Sequence, residues 1–82
     1  MQSANFVLKF KRTPNHRPTI IVSKAVAKRA VDRNRIRRIT KEALRKIKNT
    51  DSRLVIIIKN NIADLKPQQV QKELETMLLS KH

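Results

Sequence analysis

Glycine and cysteine are both missing from this 82-residue chain, as are tryptophan and tyrosine. Without glycine there is no Gly-rich phosphate-cradling loop, and turns must rest on Asn, Asp, Ser and Pro. Without cysteine there are no disulfides and no thiolate metal sites, which fits a reducing compartment. Phe6 and Phe10 are the only aromatics, and both are expected in the core. A sheet that stacks successive bases on aromatic rings, as RNA-recognition-motif domains do, is therefore disfavoured. No apolar run approaches the ~20 residues that cross a bilayer. The stretch Phe6 to Phe10 is too short, and too interrupted by Lys9, for a signal-peptide core. The expectation is a soluble, cytoplasmic protein with no membrane partner.

Acidic residues are also scarce. Six Asp and Glu stand against 20 Lys and Arg, for a formal net charge of +14. Such an excess repels itself in a compact state, which points to a polyanionic partner: nucleic acid, anionic membrane or an acidic protein. The acids Asp32, Glu42, Asp51, Asp64, Glu73 and Glu75 are scattered, as cap or helix-surface residues would be. His16 falls in a loop and His82 at the end, neither with a carboxylate or nucleophile at a suggestive spacing. Converging metal ligands are not evident. No catalytic residue, protein-bound metal or small-molecule substrate is expected.

The length allows one domain, residues 1–82, with a modest core. In "NFVLKFK", Phe6, Leu8 and Phe10 face one side and Val7, Lys9 and Lys11 the other, the pattern of a half-buried strand. "RTPNHRP" reads as a turn or loop. The β-branched "TIIVS" reads as a second strand, expected to pair antiparallel with the first. "RLVIIIK" is a continuous apolar run that suits a strand covered on much of both faces. After the loop "NNIADLKP", Pro67 opens a closing helix whose Val70, Leu74, Met77 and Leu78 share one face. The order is β-β-α-β-α, an α+β layer of helices on a small sheet.

The segment "AVDRNRIRRITKEALRK", Ala30 to Lys46, carries the strongest signal. At about 100° per residue, Ile39, Thr40, Ala43 and Ile47 cluster around Ile36, with Leu44 at the margin. Asn34, Arg37, Arg38, Lys41, Arg45 and Lys48 fall opposite, flanked by Arg35 and Lys46. One stripe is apolar and the other cationic, and "NTDS" ends the helix. Lys24 to Lys48 holds 11 Lys and Arg against Asp32 and Glu42. A solvated face normally alternates sign to gain i,i+4 pairs; here only Glu42 offers such pairing, towards Arg38, Arg45 and Lys46. Crowding of one sign suits a phosphate backbone. Arginine forks bind phosphate and stack on bases, and the Asn34 amide could reach a base edge or a 2′-hydroxyl. Composition alone does not separate RNA from a DNA major groove.

The run "VSKAVAKRAVDRNRIRRITKEAL", Val22 to Leu44, resembles the signature of the bacterial ribonuclease P protein subunit. Ser23-Lys24, Ala30, Arg33-Asn34-Arg35, Arg37-Arg38 and Lys41-Glu42 all match it. "FVLKF", "RLVIIIKNN" and "LKPQQVQKELETML" resemble the flanking strands and closing helix, so the likeness spans residues 4–79. It implies a fold like ribosomal protein S5 domain 2, with a left-handed βαβ crossover where general handedness rules favour the opposite. It also implies a non-catalytic subunit that binds a catalytic RNA. That RNA uses Mg²⁺ to remove 5′ leaders from precursor tRNA.

The family's RNR helix docks on the ribozyme, and a cleft on its sheet holds the single-stranded leader. By this resemblance Lys24, Lys28, Arg29, Arg33, Asn34, Arg35, Arg37, Arg38, Lys41 and Arg45 would contact the RNA. Val7, Lys9, Lys11 and Arg12 would face the leader. The sequence departs from the family pattern in lacking the N-terminal helix, whose aromatics line the cleft. It also has Lys9 where an aromatic often stands, and Ala27-Lys28-Arg29 where glycines are common. A more electrostatic leader contact is the expectation. The competing expectation is a structural RNA-binding protein, such as a small ribosomal protein.

Overall fold

The longest apolar run of the chain takes the centre of the sheet. The computed structural model describes residues 2–11, 18–47 and 53–79. Its elements are β1 (Phe6–Phe10), β2 (Thr19–Ile21), α1 (Ala30–Arg45), β3 (Leu54–Ile58) and α2 (Pro67–Leu79). The strand order is β1-β3-β2. β1 runs antiparallel to β3, with Phe6 opposite Ile58 and Phe10 opposite Leu54. β2 runs parallel to β3, with Ile20 opposite Ile56. The result is a small α+β fold with a mixed three-stranded sheet and two helices.

The expected antiparallel pairing of the first two strands is not found. A tight hairpin uses turns with positive φ, which glycine supplies most readily, and this chain has none. A central strand must also tolerate cover on both faces. Leu54–Ile58 is apolar at every position and is buried at all but Ile57. The amphipathic β1 and the three-residue β2 are left as the edges. Parallel neighbours need a crossover, and α1 supplies it between β2 and β3.

Alternation along the paired strands puts Phe6, Leu8, Ile20, Leu54, Ile56 and Ile58 on the face that joins the core. Phe6 and Ile56 are fully buried, whereas Phe10, at the end of β1, is 36% exposed and does not fill the core as expected. α1 contributes Ile36, Ile39, Ala43 and Leu44, and α2 contributes Val70, Leu74 and Met77. Leu78 packs against this core only in part. The two helices also pack on each other. Thr40, the one buried polar residue among those described, donates its hydroxyl to the Ile36 carbonyl at 2.8 Å. Its burial therefore leaves no orphan donor.

The helix ends follow local chemistry. α1 stops at Arg45; the Lys46 N–H turns back to the Ala43 carbonyl at 3.2 Å and the Ile47 N–H to the Leu44 carbonyl at 3.1 Å. Ile47 then packs against the core from beyond the helix. Lys48 and the "NTDS" stop lie outside the described residues, as do Asp51, His16, His82 and most of the loop "RTPNHRP". Pro67 opens α2, and the Gln69 side chain accepts the Lys66 N–H at 2.9 Å. That bond is half of a capping box.

Glu73 of α2 is more than a surface acid. It accepts hydrogen bonds from the Ser3 hydroxyl, the Asn5 N–H and the Asn5 amide. Asn60, just past β3, donates to the Ala4 carbonyl at 2.6 Å. Residues 3–5 are thereby lashed to both α2 and β3.

The face assignment of α1 can be checked by stability. Ile39→Asp places a carboxylate at a residue that is only 7% exposed. The expected cost is at least ~4 kcal/mol, against a total stability on the order of 5–10 kcal/mol. Thermal melting followed by circular dichroism should show the variant's midpoint lowered by at least ~15 °C. Arg38→Ala should melt as wild type. The reverse pattern would mean that the helix faces are assigned backwards.

Candidate nucleic-acid interface

A helix with one buried stripe has no choice about where the remaining residues go. Asn34, Arg35, Arg38, Lys41, Glu42, Arg45 and Lys46 are all exposed. Arg35, Arg38, Lys41 and Arg45 recur every three or four residues, a cationic stripe about 15 Å long at 1.5 Å rise per residue. Each like-charged neighbour costs roughly 0.2–0.5 kcal/mol. Burying Ile36, Ile39 and Leu44 returns ~1.5–3 kcal/mol apiece. Packing outweighs repulsion, so the helix holds its cations together with few acids to offset them.

The acids do little to neutralise that stripe. Among the described residues the single ion pair joins Arg29 and Asp32 at 3.8 Å, both at the start of α1. The pairing sought for Glu42 with Arg38, Arg45 or Lys46 does not form. Asn34 is engaged locally, its side-chain oxygen accepting from Arg37 at 3.4 Å. Arg37 is half-buried.

The ten residues expected to contact RNA divide into groups. Lys24, Lys28 and Arg29 are exposed on the connection from β2 to α1, and Arg35, Arg38, Lys41 and Arg45 along the helix. Asn34 and Arg37 form the pair just described. Arg33 turns back instead: its Nη1 donates to the Ala27 carbonyl at 2.9 Å and the Lys28 carbonyl at 2.8 Å. Sequence reasoning treated Arg33 and Arg35 alike, because nothing in a run of arginines shows which one finds backbone acceptors.

The second candidate surface is the sheet face away from the core. Register places Val7, Ile57 and Ile21 in one row and Lys9, Val55 and Thr19 in the next. Lys9 is exposed and Val7 half-buried. Lys11 is exposed beyond the strand, its N–H donating to the Arg53 carbonyl at 2.9 Å. Arg12 lies outside the described residues. Ile21, 45% exposed, and Ile57 join this face only through the strand order that the sequence did not reveal.

Other features of the molecule are less suited to a site. A groove of about 510 Å³ is lined by Ser3, Gln69, Lys72, Glu73, Thr76 and Met77. Its one carboxylate is already occupied by Ser3 and Asn5. Among the described residues no three His, Cys, Asp or Glu side chains gather to hold a metal ion. Among them, too, no helix is long and apolar enough to cross a membrane.

Comparison with curated proteins and with solved structures gives no match. The family model described as Ribonuclease P matches residues 1–82. That span takes in both candidate surfaces and the whole "VSKAVAKRAVDRNRIRRITKEAL" run. The chain, with its cationic α1 backed by a three-stranded sheet, belongs to the ribonuclease P protein family.

Proposed function

We propose that the chain binds a catalytic RNA as its non-catalytic protein subunit and assists removal of 5′ leaders from precursor tRNA. The observation that carries this reading is the cationic stripe Arg35–Arg38–Lys41–Arg45, which forms no ion pair among the described residues, within a chain matched over residues 1–82 by the ribonuclease P family. The left-handed βαβ crossover and the likeness to ribosomal protein S5 domain 2 belong to the same proposal. In this reading the RNA, with Mg²⁺, supplies the chemistry. The protein supplies fixed positive charge.

Each cation set against a phosphate releases condensed counterions and lowers repulsion between the two RNAs. Arginine at positions 35 and 38 suits bidentate phosphate contact. Lys41 acts as a point charge. On the sheet face Lys9 and Lys11 would meet leader phosphates, and such contacts position a strand without reading its sequence.

Three outcomes follow. The pure protein should leave precursor tRNA uncut. Added to its cognate RNA, it should raise cleavage most at low Mg²⁺, with the gain shrinking as Mg²⁺ rises. Robust 5′ cleavage by RNA-free protein would falsify this.

Arg35→Ala and Arg38→Ala should each weaken RNA binding and reduce the slope of log affinity against log salt by about 0.9, with melting unchanged. Slopes equal to wild type would remove these residues from the phosphate contacts.

The preference for precursor over mature tRNA should be nearly the same for leaders of different sequence. A Lys9→Ala/Lys11→Ala double variant should lose part of that preference, with a salt slope lower by about 0.7 per lost single-strand contact. Strong leader-sequence preference, or a preference that the double variant keeps in full, would assign the leader to another surface.

A further inference from the structure

Arg33 and Arg35 are two residues apart, yet the structure gives them different tasks. Arg35 is exposed and makes no hydrogen bond or ion pair among the described residues. Arg33 is half-buried and spends one nitrogen on two carbonyl oxygens, those of Ala27 and Lys28.

The connection that Arg33 holds needs such a tie. It leaves the sheet at Val22, 6% exposed, and returns to the core at Ala27, 2% exposed. Between these anchors Ser23 closes a turn, its carbonyl accepting from Val26 and Ala27 and its hydroxyl from Val26. Beyond Ala27 come Lys28 and Arg29, both exposed, and then the helix. Arg29 occupies the N-cap position and makes no side-chain capping bond. It carries no oxygen acceptor, and its charge sits at the positive end of the helix dipole. Ordinary capping therefore does not fix residues 28 and 29. Side chains in a helix lean toward its N-terminus, so Arg33, one turn in, reaches back. Two carbonyls converging on one nitrogen fix the orientation of two successive peptide units.

We propose that Arg33 is a positioning residue. It acts on RNA through the Ala27–Lys28 backbone, holding Lys24, Lys28 and Arg29 as a continuation of the cationic stripe, and does not itself contact phosphate. This rests on the RNA-binding reading above and divides the two arginines of the RNR sequence into a strut and a contact. It also accounts for a connection built without glycine, since the strut fixes the backbone from outside.

The test uses the full chain, free and bound to its cognate ribonuclease P RNA. In the free protein, hydrogen exchange at the amides of Ala27 and Asp32 should rise about tenfold in Arg33→Ala, with β3 amides unchanged. Arg33→Lys keeps the charge on a side chain that ends one bond short of the guanidinium nitrogens. It should show the same faster exchange and should not recover RNA affinity. In a double-mutant cycle, Lys28→Ala/Arg29→Ala should cost much less in the Arg33→Ala background than in wild type, by about tenfold or more. Unchanged exchange, independent losses in the cycle, or full affinity in Arg33→Lys would each overturn the proposal. Should wild type and Arg35→Ala bind that RNA equally poorly, the functional reading fails, and the exchange result still decides whether Arg33 is a strut. Because Arg33→Lys is the milder change, it decides the matter if Arg33→Ala fails to fold.

Discussion

Burial of Ile36, Ile39, Ala43 and Leu44 is the constraint on which the rest of this molecule depends. It is what keeps a helix dense in arginine folded without matching acids. The same burial fixes rotation about the helix axis, so Arg35, Arg38, Lys41 and Arg45 can only face solvent. The packed core and the cationic stripe are thus two faces of one residue pattern. A change that loosens the apolar stripe would disperse the cationic one.

The sheet serves that helix. β3, apolar at every position, is the central strand, with β2 parallel on one side and β1 antiparallel on the other. Parallel pairing with β2 obliges the chain to cross over through α1, which carries the basic residues across the core. Glu73 and Asn60 then tie the start of the chain to α2 and β3. Each tie joins residues far apart in sequence, as a small core with modest buried area requires.

What the sequence disclosed and what it hid follow from range. The elements and their buried faces rest on local periodicity, so Phe6–Phe10, Ala30–Arg45, Leu54–Ile58 and Pro67–Leu79 were all legible. The exposed side of α1 was legible for the same reason, Arg35 and Lys46 included. Strand order was not, because it depends on which strand tolerates cover on both faces, and that is settled between segments far apart in the chain. Phe10 was expected inside and stands partly outside, since it sits at the strand end, where alternation no longer guarantees cover. The roles of Arg33 and Glu73 depend on acceptors and donors that only the folded backbone brings near. No pattern of residue types announces them.

The central claim is that the exposed face of α1, and not that of α2, meets RNA. With no native cysteine, a photoreactive group can be attached at one position at a time. Lys41→Cys would carry it on α1 and Lys72→Cys on α2, in complexes assembled with the cognate ribonuclease P RNA. The account predicts strong cross-links from position 41, suppressed by salt, and few from position 72. Cross-links that are as strong from position 72, or absent from position 41, would contradict it.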